Sequence, residues 1–316
     1  MKLTSTFVFA GIGLVAAVGM PGIAAADTMR LMTGPQGGVW VPLGGQLKDM
    51  FEKAIPGLTV QTLPGAGIAN VRGVDEGKAE IGFGNSISTV DALNGAPPFR
   101  QKATNVCQLA TLYPQYFQVV VLADAKINSI KDLKGKSIAV QSRGNTAEVI
   151  SQHILKVYGL SYNDMKVNFQ NSYTDAIGLM KDGHAQVFTL GTTIPASSVM
   201  DLAAGRDIKL LDLTDALPEM KKINPGYTRV TVPANTYPKQ DKDVGVIGYA
   251  THLVVSCKLP EDRVYTMVKT MAAHISDMAA INKDIKNLTP KGMAEDIGVP
   301  FHPGARKFYK EVGAIM

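Results

Sequence analysis

The stretch LMTGPQGGVWVPLGG, residues 31–45, decides the reading of this chain. It reads as a short strand, a glycine-rich turn and the start of a helix. Leu43, Leu47, Met50, Phe51 and Ala54 follow at helical spacing, which gives that helix an apolar face to bury. Gly34, Gly37 and Gly38 lack a Cβ, so a ligand can come close to the backbone. The turn opens a helix, where free N–H groups and the positive end of the dipole favour an anion. A tight turn with no ligand would use the same residues. The balance is tipped by recurrence, because similar turns follow along the chain.

In the first unit, a strand at 59–63 leads into Pro64-Gly65-Ala66-Gly67-Ile68-Ala69-Asn70 and a helix. A strand at 80–83 leads into Gly84-Asn85-Ser86. Two more strands are expected at 108–113 and 118–122, separated by Pro114. A second unit starts near Ile130. A strand at 137–140 precedes Gln141-Ser142-Arg143-Gly144-Asn145-Thr146 and a helix to Tyr158. A strand at 166–169 precedes a turn in which Ser172 and Asp175 have capping-box spacing. A strand at 187–190 precedes Gly191-Thr192-Thr193, and another strand is expected at 208–213. The alternation predicts an α/β fold with a parallel sheet covered on both faces. After Leu213, Pro218, Pro225, Pro233 and Pro238 break the chain into loops and short extended pieces. A long strand at 244–255 should return it to the first unit, followed by one helix at 261–281 and a last helix near 305–312.

Ligands of open α/β sheets bind at the carboxyl ends of the strands, where these turns lie. Two such units would therefore face each other across one cleft lined by helix N-termini and hydroxyls. Crossings near Val119 and Val244 would form a two-strand hinge, and closure around a small anion is the expected motion. The expected division is 27–122 with 244–316 as one domain and 123–243 as the other.

Composition bounds the class. Lys2, the uncharged apolar run 7–20 and Ala24-Ala25-Ala26 form a secretory leader, expected at 1–26 and cleaved on export. Removal leaves 316 − 26 = 290 residues in the periplasm. The net charge of +5 is spread along the chain, with no aromatic-interleaved basic run of the kind that binds nucleic acid. The two cysteines, Cys107 and Cys257, are either a disulfide or two buried thiols.

Sites of other chemistries find little support. Gly65-Ala66-Gly67 starts like a dinucleotide fingerprint, but Asn70 stands where the third glycine belongs. Gly135-Lys136-Ser137 leads into a strand, unlike a P-loop. The five histidines form no metal-type pair, and no G-x-S-x-G elbow is present. No catalytic residue, metal or cofactor is expected. Arg143 could grip a carboxylate with two parallel hydrogen bonds, or be an exposed loop residue. Trp40 could line the cleft or pack the helix against the sheet.

Several landmarks in order resemble the solute-binding proteins of tripartite ATP-independent periplasmic (TRAP) transporters of the TAXI class. Thr33-Gly34 with Gly37-Gly38-Val39-Trp40-Val41-Pro42-Leu43-Gly44 is similar to that family's T-G…G-G-V-Y-Y-P-L-G, with one ring of the aromatic pair missing. Gly67 to Gly77 keeps the family's Asn as Asn70, and Gly84-Asn85-Ser86 resembles its cleft turn. Residues 130–136, Tyr237-Pro238, Val264-Tyr265 and His302-Pro303-Gly304-Ala305 match later landmarks. The resemblance implies a type II periplasmic-binding-protein fold. It implies capture of a small carboxylate such as glutamate or 2-oxoglutarate for a TRAP permease, by a monomer. Arg143 replaces the small residue usual in its turn, which favours a more acidic ligand.

On this reading, backbone N–H groups near Gly37, Gly38 and Gly191 hold carboxylate oxygens. Thr33, Asn70, Asn85, Ser86, Ser142, Asn145, Thr146 and Thr192 supply hydrogen bonds. Arg143 neutralises charge, and Trp40 packs the ligand's carbon chain. An exported lyase or transferase on the same fold is the alternative, and a module presenting its closed form to a sensor is a third.

Overall fold

The computed structural model describes Met1 and residues 27–316, so the expected export leader lies outside the described residues. No helix among the described residues is long and apolar enough to cross a membrane. The first part of the chain runs β1 (Asp27–Met32), α1 (Trp40–Ala54), β2 (Leu58–Leu63), α2 (Gly67–Asp75), β3 (Ile81–Asn85) and α3 (Ser86–Asn94). A long strand, β4 (Cys107–Leu122), leads to β5 (Ser137–Gln141), α4 (Thr146–Val157), β6 (Lys166–Gln170) and α5 (Tyr173–Lys181). Then come β7 (Val187–Thr192), α6 (Ser197–Gly205), β8 (Ile208–Leu210), α7 (Leu217–Ile223) and β9 (Thr228–Val232). A second long strand, β10 (Val244–Val255), returns the chain to α8 (Glu261–Ala273), α9 (Ile275–Ile281), α10 (Pro290–Met293) and α11 (Pro303–Glu311).

The strands form one mixed sheet in the order β2-β1-β3-β10-β4-β7-β5-β6, with β8 on β4 and β9 on β10. β1, β2 and β3 are parallel, as are β5, β6 and β7. β4 and β10 run antiparallel to each other and join the two parallel groups. Two hydrophobic cores lie at the two ends of this path. One gathers Leu31, Leu43, Phe51, Phe83 and Met267; the other gathers Phe117, Ile138, Ile150, Phe188 and Val246. Phe117–Leu122 of β4 and Val246–Tyr249 of β10 pack in the second core. In α1 the buried residues Trp40, Leu43, Leu47, Met50 and Phe51 repeat at helical spacing. Burying each contributes about 1.5–3 kcal/mol.

Four expectations are corrected. The strands expected at 108–113 and 118–122 are one strand through Pro114. β7 begins pairing only at Tyr116, so the edge of β4 away from β10 carries no strand at Pro114 and needs no N–H from it. The helix expected at 261–281 is two. His274 leaves the helical region at φ −121° and ψ 34°, and its Nδ1 lies 3.1 Å from Asp277 Oδ2 in the next turn. The last strand of the second unit stops at Leu210 and pairs antiparallel with β4, so that unit is not wholly parallel. The proline-broken region holds the expected short extended piece, β9, but also a helix, α7, where Pro218 sits harmlessly in the first turn.

Cys107 and Cys257 form a disulfide, which decides between the two alternatives left open by the sequence. It ties the start of β4 to the residues just after β10. The bond closes a loop of 150 residues that contains the second core apart from Ile87.

Candidate ligand cleft

Five helices begin at one cavity. Residues at the N-terminal ends of α1 (Gly38, Val39, Trp40), α2 (Gly67), α3 (Asn85), α4 (Asn145) and α5 (Tyr173) line it. Three of these ends, those of α1, α2 and α3, have no side-chain cap, which leaves first-turn N–H groups without a capping acceptor. The strand-turn-helix repeat explains the convergence, since each helix starts where its parallel strand ends. β7 and the crossing strands complete the wall with Gly191, Thr192, Gln115 and Tyr249.

No lining residue carries a charge. The electrostatics therefore come from helix ends, each about half a positive charge. Three buried side-chain atoms of the lining have no hydrogen-bond partner among the described residues: Trp40 Nε1, Asn85 Oδ1 and Gln115 Oε1. Trp40 stacks on Phe83 with ring centres 5.2 Å apart. Tyr173 donates its hydroxyl to the Gly191 carbonyl at 2.9 Å, and burial pushes its pKa above the usual range.

The cleft is closed. The cavity encloses about 20 Å³, the space of about one water. Its two sides touch directly. Ala69 N donates to Gly144 O, and Tyr173 N to Gln36 O, both at 3.0 Å. Ser88 and Thr146 hydroxyls meet at 2.9 Å, and Ser197 Oγ donates to Gly37 O at 3.2 Å. A solute can enter only when these contacts part.

A family model described as NMT1-like matches residues 31–313. The chain belongs to the NMT1-like family. The structure of this NMT1-like protein is also similar to several solved ones. One is a periplasmic transporter at 12% identity and TM-score 0.54, covering 92% of this chain and 94% of that one. A putative L-cystine ABC transporter from Listeria monocytogenes matches at 14% and TM-score 0.50, covering 83% and 97%. An ancestral arginine-binding protein bound to arginine matches at 15% and TM-score 0.50, covering 81% and 97%. The fold is the type II periplasmic-binding-protein fold, an α/β sheet with helices on its faces.

The NMT1-like chain brings Gly38, Trp40, Asn85, Asn145, Gly191 and Thr192 of the sequence-derived set to the cavity. Gly37 and Thr146 lie beside it, in the contacts that close the cleft. Four others are spent on structure or placed elsewhere. Thr33 donates to Leu63 O at 2.9 Å, holding β1 to β2. Asn70 is fully buried; its amide donates to Thr33 O and Phe83 O and accepts from Ala66 N. Ser86 accepts from Ala250 N at 3.1 Å, and Ser142 donates to Gln170 O at 3.1 Å.

Arg143 does not line the cavity either. Its side chain is 69% exposed and packs over the Phe169 ring at 5.2 Å. Its nearest acid is the buried Glu148, 3.6 Å away. Sequence reasoning missed Pro35, Val39, Gly67, Gln115, Tyr173 and Tyr249. The last three reach the cleft through strand pairing and contact between its two sides, which leave no spacing signal.

Proposed function

We propose that this protein is an extracytoplasmic solute receptor that captures a small carboxylate and hands it to a TRAP-type permease of the TAXI class. One observation carries this reading: five helix N-termini converge on one uncharged cavity. Such ends donate N–H groups to an anion and stabilise its charge without any basic side chain. The similar structures, a periplasmic transporter and an arginine-binding protein, support a solute receptor. The ligand class comprises dicarboxylates, oxo acids and acidic amino acids such as glutamate and 2-oxoglutarate. Gly38 and Gly191 would present backbone to the carboxylate, Asn85, Asn145 and Thr192 would hydrogen-bond it, and Trp40 would cover its carbon chain.

Binding would run through an open state. Residues 27–122 with 244–316 form one lobe and 123–243 the other, and they swing about β4 and β10. Closure then expels water and strengthens each polar contact. The protein works in the periplasm after loss of its leader, as a monomer and without a cofactor.

The test uses protein unfolded in guanidinium and refolded, which strips any co-purified solute. Thermal stability and the emission of Trp40, the single tryptophan, are followed against a panel of acids and amino acids. A ligand that binds only the folded state stabilises it by about 2.7 kcal/mol at 100 times its Kd. A shift with one acid, recovered unchanged, supports the receptor. An acid converted to product shows an enzyme, and no shift with any acid overturns the anion cleft.

A further inference from the structure

Behind the crossing strands lies a second and much larger cavity, of about 450 Å³. Pro114 and Ala250, cross-strand partners, form part of its floor, and Tyr249 is a wall shared with the front cavity. One wall is the 284–297 segment, held to β4 where Thr111 Oγ1 donates to Glu295 O at 3.3 Å. The opposite wall is Gly226 and Thr228, at the start of β9.

Its chemistry is one-signed. Asp284 and Glu295 line it, and no lysine, arginine or histidine does. Asp284 Oδ2 is buried without a hydrogen-bond partner among the described residues. The neighbouring Lys283 and Lys286 are exposed and form no ion pair with Asp284. Tyr113, 3% exposed, lines the same cavity, with its hydroxyl beside Trp40 and Thr251. Burial holds the Asp284 carboxyl above the usual carboxylate range. A buried carboxylate oxygen without a partner is costly, and a cation beside it removes that cost. Leu112, Leu288 and Ile297 give the rest of the surface an apolar character.

We infer that this cavity behind the hinge binds a small organic amine in its protonated form, with an aliphatic body. The ammonium meets Asp284 and Glu295, and the hydrocarbon lies on the leucines and Ile297. The volume is that of a small-molecule site, and it is far larger than a bare metal ion needs. Among the described residues no group of three His, Cys, Asp or Glu is arranged to hold a metal. This inference stands apart from the carboxylate cleft and does not depend on it.

Calorimetric titration of the full, oxidised protein with n-butylamine and 1,4-diaminobutane tests it, with n-butanol and calcium chloride as controls. The expected result is saturable amine binding, no n-butanol binding, and a loss of about tenfold or more in Asp284→Asn. Should that variant fail to fold, Glu295→Gln serves in its place. Asn145→Ala, in the front cleft and away from this cavity, leaves amine affinity unchanged if the site lies behind the hinge. The inference is overturned by absence of saturable amine binding, by unchanged affinity in Asp284→Asn, by Asn145→Ala abolishing it, or by calcium binding with the same dependence on Asp284.

Discussion

Gly191, on β7, lies against Tyr249 of β10, and both line the cavity. A Cβ there would fall onto the Tyr249 hydroxyl, inside contact distance. Tyr249 is 2% exposed and cannot swing away. Gly191→Ala is therefore expected to cost about 1–3 kcal/mol in urea denaturation and to hold the cleft ajar. Asp91, on α3, gives a prediction in pH. Burial raises its pKa from 3.8 to about 6, partly offset by the amide of Asn224, which donates to it at 3.1 Å. The folded state thus holds this proton more tightly than the unfolded chain. Stability from this group falls as pH rises from 3.8 through about 6. Asp91→Asn should remove that slope. At neutral pH it should add about 1–2 kcal/mol, a figure discounted for partial exposure and readable from urea curves at several pH values. At this scale the sequence was a mixed guide. The polar type of Asn85 and of Asn70 is equally visible, yet one faces the cavity and the other is consumed by three backbone partners. Only the tertiary position of the turn separates them.

At the scale of elements, α4 shows how one residue serves structure and site together. Asn145 caps the helix, accepting from Ala147 N at 2.8 Å, and also lines the cleft. Asn145→Ala should lose about 1 kcal/mol of stability and also weaken ligand binding. Asn145→Asp keeps the cap and places a negative charge in the anion site. It should melt like the parent while its affinity for an acid collapses, and a thermal scan beside a Trp40 fluorescence titration reads both. The strand-turn-helix units were legible because apolar periodicity and small turn residues are local properties. The unity of β4 was not. Pro114 signals a break in any isolated reading, and its tolerance depends on which neighbour strand starts where. The His274 break likewise follows no proline or glycine signal.

For the whole molecule, the α/β class and the return of the chain through residues 244–255 were legible, because hydrophobic runs of strand length announce them. The contacts that close the cleft were not, since they join residues far apart along the chain. The disulfide belongs to this scale. Closing a loop of 150 residues, it should contribute about 5 kcal/mol by restricting the unfolded chain. Reduction with dithiothreitol should lower the denaturant midpoint accordingly, and Cys107→Ala with Cys257→Ala should reproduce the loss.

The same bond changes what a peptidase can do to this protein. Residues 238–243, after the buried Tyr237, are mostly exposed in the connection between β9 and β10. A single cut there divides the polypeptide, yet Cys107 stays on one fragment and Cys257 on the other, still covalently joined. The severed pieces keep a high effective concentration for each other and stay folded together. A nicked molecule should run as one band on a non-reducing gel and as two after reduction, and it should still bind its solute.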